Sequence, residues 1–405
     1  MQEEKLNKYQ FHVGATAFLS LFSLVGIMFY GLPFFFDFWI EEFGWTRATI
    51  TSGSAVGKVV IGLLLGFVAG WFIDRFGPRR LMLTGISLGG IALIGLSMMT
   101  SLWHFYLFYL CNALGYLFGG PLPNQVLVSR WFDKSRGRVM GIAYLGIGVG
   151  GMLVPQIAKA LNMEFGWRGG LMSLGILMIA IAFPMAWFVK DNPDNLATPT
   201  KKAQHQVAFS NIIKGWPFYL LLIGSMCSIG AVSGTSQNLK LYLSIDLQYT
   251  QQDAANVMSI VLGASIIGRL FMGWLADKVQ KKYVMILIYT LVVVSIPLLF
   301  IADTKGIMYL FAFLFGVALG GDYMIIPLMA AELFGVKALG RVMGIIISVD
   351  GLGEAFGPMV AAYLRDVSGS YVYGFSALIV LAMIGTIAII LLPSKKKDMS
   401  PVAEL

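Results

Sequence analysis

Gly137-Arg-Val-Met-Gly-Ile142 stands a second time in this chain as Gly340-Arg-Val-Met-Gly-Ile345, 203 positions later. The same offset carries Gly70-Trp71-x-x-Asp74 to Gly273-Trp274-x-x-Asp277 and Pro155 to Pro358. Landmarks this widely spread make the chain an internal duplication, with a unit far longer than a solenoid repeat. Because the unit is mostly apolar, the repetition predicts two homologous helical bundles in a membrane.

Composition leads to the same class. A chain of 405 residues that is 58% hydrophobic and 12% charged, with mean hydropathy +0.78, has more apolar surface than a soluble core can hide. The net charge of +8 would suit nucleic acid in a soluble protein, but here the basic residues sit in short segments between long apolar runs. They orient the chain, and no nucleic-acid partner is expected. Cys111 and Cys227 stand in apolar surroundings without a CxxC or a histidine partner, so neither a disulfide framework nor a metal site is predicted. The first apolar run, from about Phe11, is too long for a signal-peptide core and reads as the first span.

A helix needs about 20 apolar residues to cross a bilayer, where every backbone group must be bonded internally. Twelve such stretches are predicted: 11–38, 47–73, 80–100, 103–129, 139–160, 168–189, 215–243, 253–276, 283–301, 306–332, 341–363 and 372–393. The fold class is therefore all-α, with residues 1–189 and 215–405 as two pseudo-symmetric six-helix bundles and 190–214 as a cytoplasmic linker. That linker holds Asn192-Pro193-Asp194, Pro199 and Lys201-Lys202 without apolar periodicity. Arg75, Arg79, Arg80, Arg130, Lys134, Arg136, Lys278, Lys281 and Lys282 collect in alternate loops, while the opposite loops hold scattered cations such as Arg47, Arg168 and Arg365. Positive loops stay in the cytoplasm, which puts both termini there, in an inner or cytoplasmic membrane.

The stretch Gly66-Phe-Val-Ala-Gly70-Trp-Phe-Ile-Asp74-Arg75-Phe-Gly77-Pro-Arg79-Arg80 resembles the loop signature of the major facilitator superfamily, echoed as Gly273-Trp-Leu-Ala-Asp277-Lys278. The resemblance implies the twelve-span fold of that family and a gating role for Asp74, Arg75, Arg79, Asp277 and Arg136. The residue chemistry is compatible: the glycines allow close packing, and Asp74 can pair with a cation or cap the N-terminus of a neighbouring helix. The alternative, an ordinary charged loop, does not account for the echo at the expected place. Gly146-x-Gly148-x-Gly150-Gly151 is a helix-packing string and not a phosphate loop, since no strand precedes it and no Lys-Ser/Thr follows.

A narrower likeness starts at Trp131-Phe132-Asp133-Lys134-Ser135-Arg136-Gly137, leading into Gly141 and Gly146, and at Phe43-Gly-Trp45-Thr46-Arg47-Ala48. Both are similar to the monocarboxylate-transporter and oxalate/formate-antiporter branch. In Gly268-Arg269-Leu-Phe-Met-Gly273, Arg269 is similar to the arginine with which that branch binds a substrate carboxylate. Where animal members carry an Asp four residues before this arginine and a Lys shortly after a first-span proline, this chain has Ser265 and, after Pro33, Phe34.

Ionisable groups at mid-membrane cost several kcal/mol each and mark function. At 1.5 Å per residue, Arg269 lies roughly 12 Å from the cytoplasmic end of its span, and Asp322 and Asp350 roughly 15 Å from theirs. Lys58 lies at similar depth in the other bundle, and Glu354 is one turn beyond Asp350 on the same face. Arg269 suits bidentate binding of a carboxylate, with Lys58, Tyr30, Asn124 and Tyr323 as further substrate contacts. Asp322, Asp350 and Glu354 are the candidates for proton coupling. Against this stands a permanent ion pair of Arg269 with one acid, and snorkelling for Lys58. Trp39, Tyr116, Gln125, Gln237 and Asn238 are weaker cavity candidates, aromatic residues near span ends being interface anchors more often than ligands. Glu332, at a helix end, reads as a gate or a solvated residue. No catalytic triad, nucleotide loop or metal-ligand spacing stands out, so no enzyme and no cofactor are expected, only a coupling ion, H+.

The expectation is a secondary active transporter of a small organic anion, a mono- or dicarboxylate, working as a monomer by proton symport or exchange. Two alternatives remain at this point: a proton-coupled exporter of a cationic or amphipathic solute, and a solute sensor that does not transport.

Overall fold

The structure is a computed structural model and describes residues 2–46, 49–50, 52–53, 65–191, 209–301 and 304–393. The described chain is helical. Helix α1, Gln2–Leu21, runs through a π-helical segment, Phe22–Gly31, and a 3-10 turn, Leu32–Phe35, into α2, Phe36–Phe43. Pro33, which lacks an N–H, falls in the 3-10 turn. After α3, Gly66–Phe76, come α4, Pro78–Ser97, α5, Leu102–Gly119, and α6, Pro121–Trp131. Helix α7, Arg136–Phe188, is followed by the short α8, Phe209–Lys214, and by α9, Trp216–Leu241. The remainder is α10, Gln251–Lys278, α11, Lys281–Ser295, α12, Lys305–Phe334, α13, Leu339–Ser368, and α14, Tyr371–Leu391.

Among the described residues nine helices, not twelve, are long and apolar enough to cross a membrane. Two of the predicted stretches merge, one is divided, and one lies mostly outside the described residues. The predicted stretches 139–160 and 168–189 run together in the 53-residue α7, whose backbone breaks at Gly166 with φ 66° and ψ 174°. The stretch 103–129 is divided between α5 and α6, because Gly120 and Pro121 interrupt the helix. Most of 47–73, Lys58 included, lies outside the described residues.

The chain divides into two compact units, Met1–Pro199 with Leu339–Ser348, and Thr200–Ala338 with Val349–Leu405. Each keeps the frame of the duplication. Helices α4, α5 and α7 begin at Pro78, Leu102 and Arg136, and α11, α12 and α13 begin 203 positions later at Lys281, Lys305 and Leu339. Even the capping chemistry repeats: Ser101 accepts from His104 N at 3.5 Å, and Thr304, its counterpart, accepts from Ile307 N at 3.5 Å. Gly166 recurs as Gly369, which ends α13 with φ 76° and ψ 0°.

Small residues set the packing inside each unit, since helices in lipid associate by close contact and not by hydrophobic drive. A Cβ on Gly26 would fall 2.8 Å from the Cα of Gly150, and one on Gly230 would fall 3.1 Å from the carbonyl oxygen of Gly353, the residue equivalent to Gly150. In the second unit Phe311, Phe315 and Phe375 pack with Tyr242 and Tyr371 in a buried aromatic core. The Tyr242 hydroxyl donates to the Leu299 carbonyl at 2.7 Å.

Candidate functional site

Helix α9 is apolar but interrupts its own pattern with Ser225 and Ser228, one turn apart and both buried. Hydroxyls are small enough for helix interfaces in lipid and bring one donor each. Ser225 Oγ donates to Asp350 Oδ1 at 2.6 Å, and Ser228 Oγ donates to Asp322 Oδ1 at 3.1 Å. The two acids come from different helices, Asp322 from α12 and Asp350 from α13, and are 0% and 6% exposed. Neither forms an ion pair with a described residue, so neither is locked to Arg269 or any other described cation. Asp322 Oδ2 is buried without a hydrogen bond among the described residues. The fully buried Tyr289 of α11 lies within electrostatic reach of Asp322 and Asp350, with its hydroxyl beside that of Ser228.

Arg269 sits on α10 in the same unit. The close approach of α10 to α12 at Gly320, where a Cβ would lie 3.0 Å from Arg269 N, brings the two backbones together. Its Nη1 donates to the hydroxyl of Ser265 at 3.2 Å, one turn back on the helix. Ser265 stands where animal members of the resembled branch have an acid, and it orients the guanidinium without neutralising it. Glu354, partly exposed one turn beyond Asp350, is within electrostatic reach of that acid. Its carbonyl accepts from Ser233 Oγ at 3.1 Å, and Gln237 Nε2 donates to the same hydroxyl at 2.8 Å. Asn238 donates to the Pro358 carbonyl at 3.2 Å, at the proline inside α13.

The substrate candidates of the first unit are not gathered in this way. Asn124 donates Nδ2 to the Gly119 and Gly120 carbonyls, at 3.0 and 2.7 Å, and so binds up the break between α5 and α6. Its Oδ1 is left buried without a hydrogen bond among the described residues. Gln125 Nε2 donates to the Tyr144 hydroxyl. Tyr30 is exposed, with its ring against Gly151, and Tyr323 of the second unit is also exposed. Trp39 is fully buried in an aromatic cluster with Phe105 and Trp167. Lys58 lies outside the described residues.

The gating candidates divide between two kinds of contact. Asp74, in the last turn of α3, caps the N-terminus of α13 within the first unit, accepting from Gly340 N at 3.1 Å, Arg341 N at 3.2 Å and Arg341 Nε at 2.9 Å. Burial pushes the Asp74 carboxyl up from its ordinary value, while Arg341 and the two amides pull it down. Arg130 Nη2 reaches the Ile73 carbonyl at 3.5 Å and lies in the field of Asp74 and Asp191. Arg75 lies over the rings of Trp71 and Phe76. Arg79 donates Nη2 to the Trp187 carbonyl at 2.6 Å, and its N–H is accepted by Asp191 at 2.7 Å. Arg136 is buried at the start of α7, where it donates to the Phe132 and Ser129 carbonyls at 2.9 and 3.1 Å and pairs with Asp133. Asp277 is half-buried in the last turn of α10, and Glu332 pairs with Lys281 at 2.8 Å.

Residue-level reading of the sequence passed over Ser225, Ser228, Tyr289, Arg341 and Asp191. For Arg341 the sequence offered one signal, its place in the duplicated hexapeptide Gly340–Ile345.

The sequence matches a family model described as Major Facilitator Superfamily over residues 17–321 and over 221–404. Monocarboxylate transporter 13 of Rattus norvegicus is 26% identical over 331 residues, covering 79% of this chain and 74% of its own. The membrane sensor protein UhpC of Salmonella typhimurium is 27% identical over 355 residues, covering 81% of this chain and 78% of its own. Among solved structures, the major facilitator superfamily transporter FucP in its outward conformation superposes with a TM-score of 0.72 at 12% identity, over 94% of this chain and 99% of that one, a likeness of fold alone.

Proposed function

The chain belongs to the major facilitator superfamily, membrane transporters and not enzymes, and on that premise we propose that it is a secondary active transporter of a small organic anion. The class of anion is a mono- or dicarboxylate, moved by proton symport or by exchange through alternating access. The observation that carries this reading is the arrangement around Arg269: a guanidinium oriented by a neutral serine, in the same unit as two buried carboxyls that have no cationic partner among the described residues. Arg269 forks the substrate carboxylate, its planar donors being suited to two parallel bonds and its charge being retained at depth. Asp322 and Asp350 take and release the coupling proton, being buried, held by serine hydroxyls and without a cationic partner among the described residues. The likeness to a monocarboxylate transporter supports the choice of substrate class.

The distribution of Lys and Arg supports an inner-membrane protein with both termini in the cytoplasm. Uptake into proteoliposomes under an imposed pH gradient, across a panel of mono- and dicarboxylates and amines, tests the whole reading. Gradient-driven uptake or counterflow of a carboxylate is expected; accumulation of amines alone would replace the anion with a cationic cargo.

A second reading, a solute sensor without turnover, is favoured by the likeness to UhpC. Saturable carboxylate binding with no counterflow would establish it in place of transport.

A further inference from the structure

Three hydroxyl groups lie beside the two carboxyls, which have no ion pair among the described residues. Ser225 and Ser228 come from α9 and Tyr289 from α11, while the acids come from α12 and α13, so four helices meet at one buried polar cluster. Among the described residues, further titratable or charged groups face it from the neighbouring helices. Cys227 of α9 lies beside Tyr289, and Glu354 of α13 lies beside Asp350. Arg269 of α10 has its backbone against Gly320, two residues before Asp322. Helix α14 carries Tyr371 and Tyr373 in its first turn and no other ionisable side chain.

A serine hydroxyl has one hydrogen to give and lone pairs to accept with. Ser225 reaches Asp350 at 2.6 Å and also the Leu222 carbonyl at 3.2 Å. With Asp350 charged, the hydrogen goes to the carboxylate. With Asp350 protonated, the acid donates to Ser225 Oγ and the serine hydrogen turns to Leu222. The serine thus satisfies both protonation states without a shift of backbone. Asp322 is held by Ser228 on one oxygen only; its other oxygen is buried without a hydrogen bond among the described residues, and the Tyr289 hydroxyl lies beside the same serine, within electrostatic reach of the acid. A buried acceptor left without a donor is costly, so the arrangement is suited to a state in which this oxygen and the Tyr289 hydroxyl meet.

We infer that Ser225, Ser228 and Tyr289 are positioning residues of a proton site formed by Asp350 and Asp322, with α9 holding one oxygen of each acid and Tyr289 donating to the second oxygen of Asp322 when its proton leaves. Bonds to the charged form favour that form, so the three hydroxyls make proton release possible at depth. No covalent bond changes; the proton passes between the carboxyl and water or substrate. This inference rests on the proton-coupled reading above.

The test needs no substrate. Infrared difference spectra of the purified full-length protein, titrated with pH, follow the carbonyl band of protonated carboxyls, and Asp322→Asn and Asp350→Asn assign it. Ser225→Ala, Ser228→Ala and Tyr289→Phe are each expected to move the midpoint of the assigned band up by about one pH unit, and Ser225→Thr is expected to return it. Thermal unfolding of each variant separates a loss of fold from a loss of position. If the assigned bands titrate but stay in place in all three variants, the positioning role is overturned and the proton site stands. If no band disappears in Asp322→Asn or Asp350→Asn, the proton reading falls, and this inference with it.

Discussion

Asp74 and Arg341 are 267 positions apart in the chain, yet Arg341 Nε lies 2.9 Å from Asp74 Oδ2 and the Arg341 amide 3.2 Å from the same oxygen. One carboxylate therefore serves as partner for a guanidinium and as cap for the start of α13, where the helix dipole also favours an anion. Gly70 makes the approach possible, since a Cβ there would meet the Gly340 carbonyl and the Cα of Arg341.

Asp74→Asn removes the charge that burial opposes but keeps an acceptor for one amide, so stability is expected to change by no more than about 1 kcal/mol. Asp74→Ala leaves the Gly340 and Arg341 amides without their acceptor and is expected to cost about 1–3 kcal/mol. Thermal unfolding in detergent compares the two. Equal losses would mean that the carboxylate acts by charge and not as a cap.

Arg269→Gln is expected to lower carboxylate uptake at least about tenfold, the loss of a charge-assisted bidentate contact, while Arg269→Lys retains a point charge and part of the activity. Counterflow in proteoliposomes measures both. Intact transport in Arg269→Gln would remove the assigned role.

Proton-driven accumulation is expected to fail in Asp322→Asn or Asp350→Asn, with exchange of preloaded carboxylate retained in at least one of them, because exchange needs no proton release. In the wild type, uptake falls as pH rises through the range in which the carrier gives up its proton. In the variant that lacks the coupling acid this dependence flattens. Uptake measured across pH at fixed substrate decides which acid carries it.

Gly166 and Gly369 hold equivalent positions with different demands. The first, at φ 66° and ψ 174°, is in a region open almost only to glycine, while the second, at φ 76° and ψ 0°, is close to the left-handed helical region that Asn also tolerates. Gly166→Asn is therefore expected to cost about 1–3 kcal/mol and Gly369→Asn under about 1 kcal/mol. A reversed order in thermal unfolding would contradict the backbone argument.

Arg79 and Lys282 are equivalent in the duplication, and each donates at 2.6 Å to a carbonyl at the end of the last helix of its half, Trp187 and Leu392. Arg79→Met and Lys282→Met are each expected to cost about 1 kcal/mol and to speed amide exchange at residues 187–191 and 390–393, respectively. Exchange measured by mass spectrometry checks both ends in one experiment.

Membrane class, duplication and frame were legible in the chain because they are periodic or local properties. Hydropathy marks spans one at a time, a 203-residue echo is visible without any fold, and Gly70 with Asp74 stands in a short motif. Single residues alter the backbone within the predicted spans at Gly166 and Gly120, which hydropathy does not register. The partners of the buried acids belong to another kind of information. Ser225 lies 125 positions from Asp350, and Ser228 lies 94 from Asp322. A serine in an apolar helix looks the same whether it packs against glycine or holds a carboxyl. What distinguishes Asp322 and Asp350 from acids paired with arginine is the set of helices that surround them, and three-dimensional packing alone decides which donors a buried charge meets. The chain by itself determined that ionisable groups lie at depth in a duplicated membrane frame; the tertiary structure decided that hydroxyls, and no described cation, stand beside two of them.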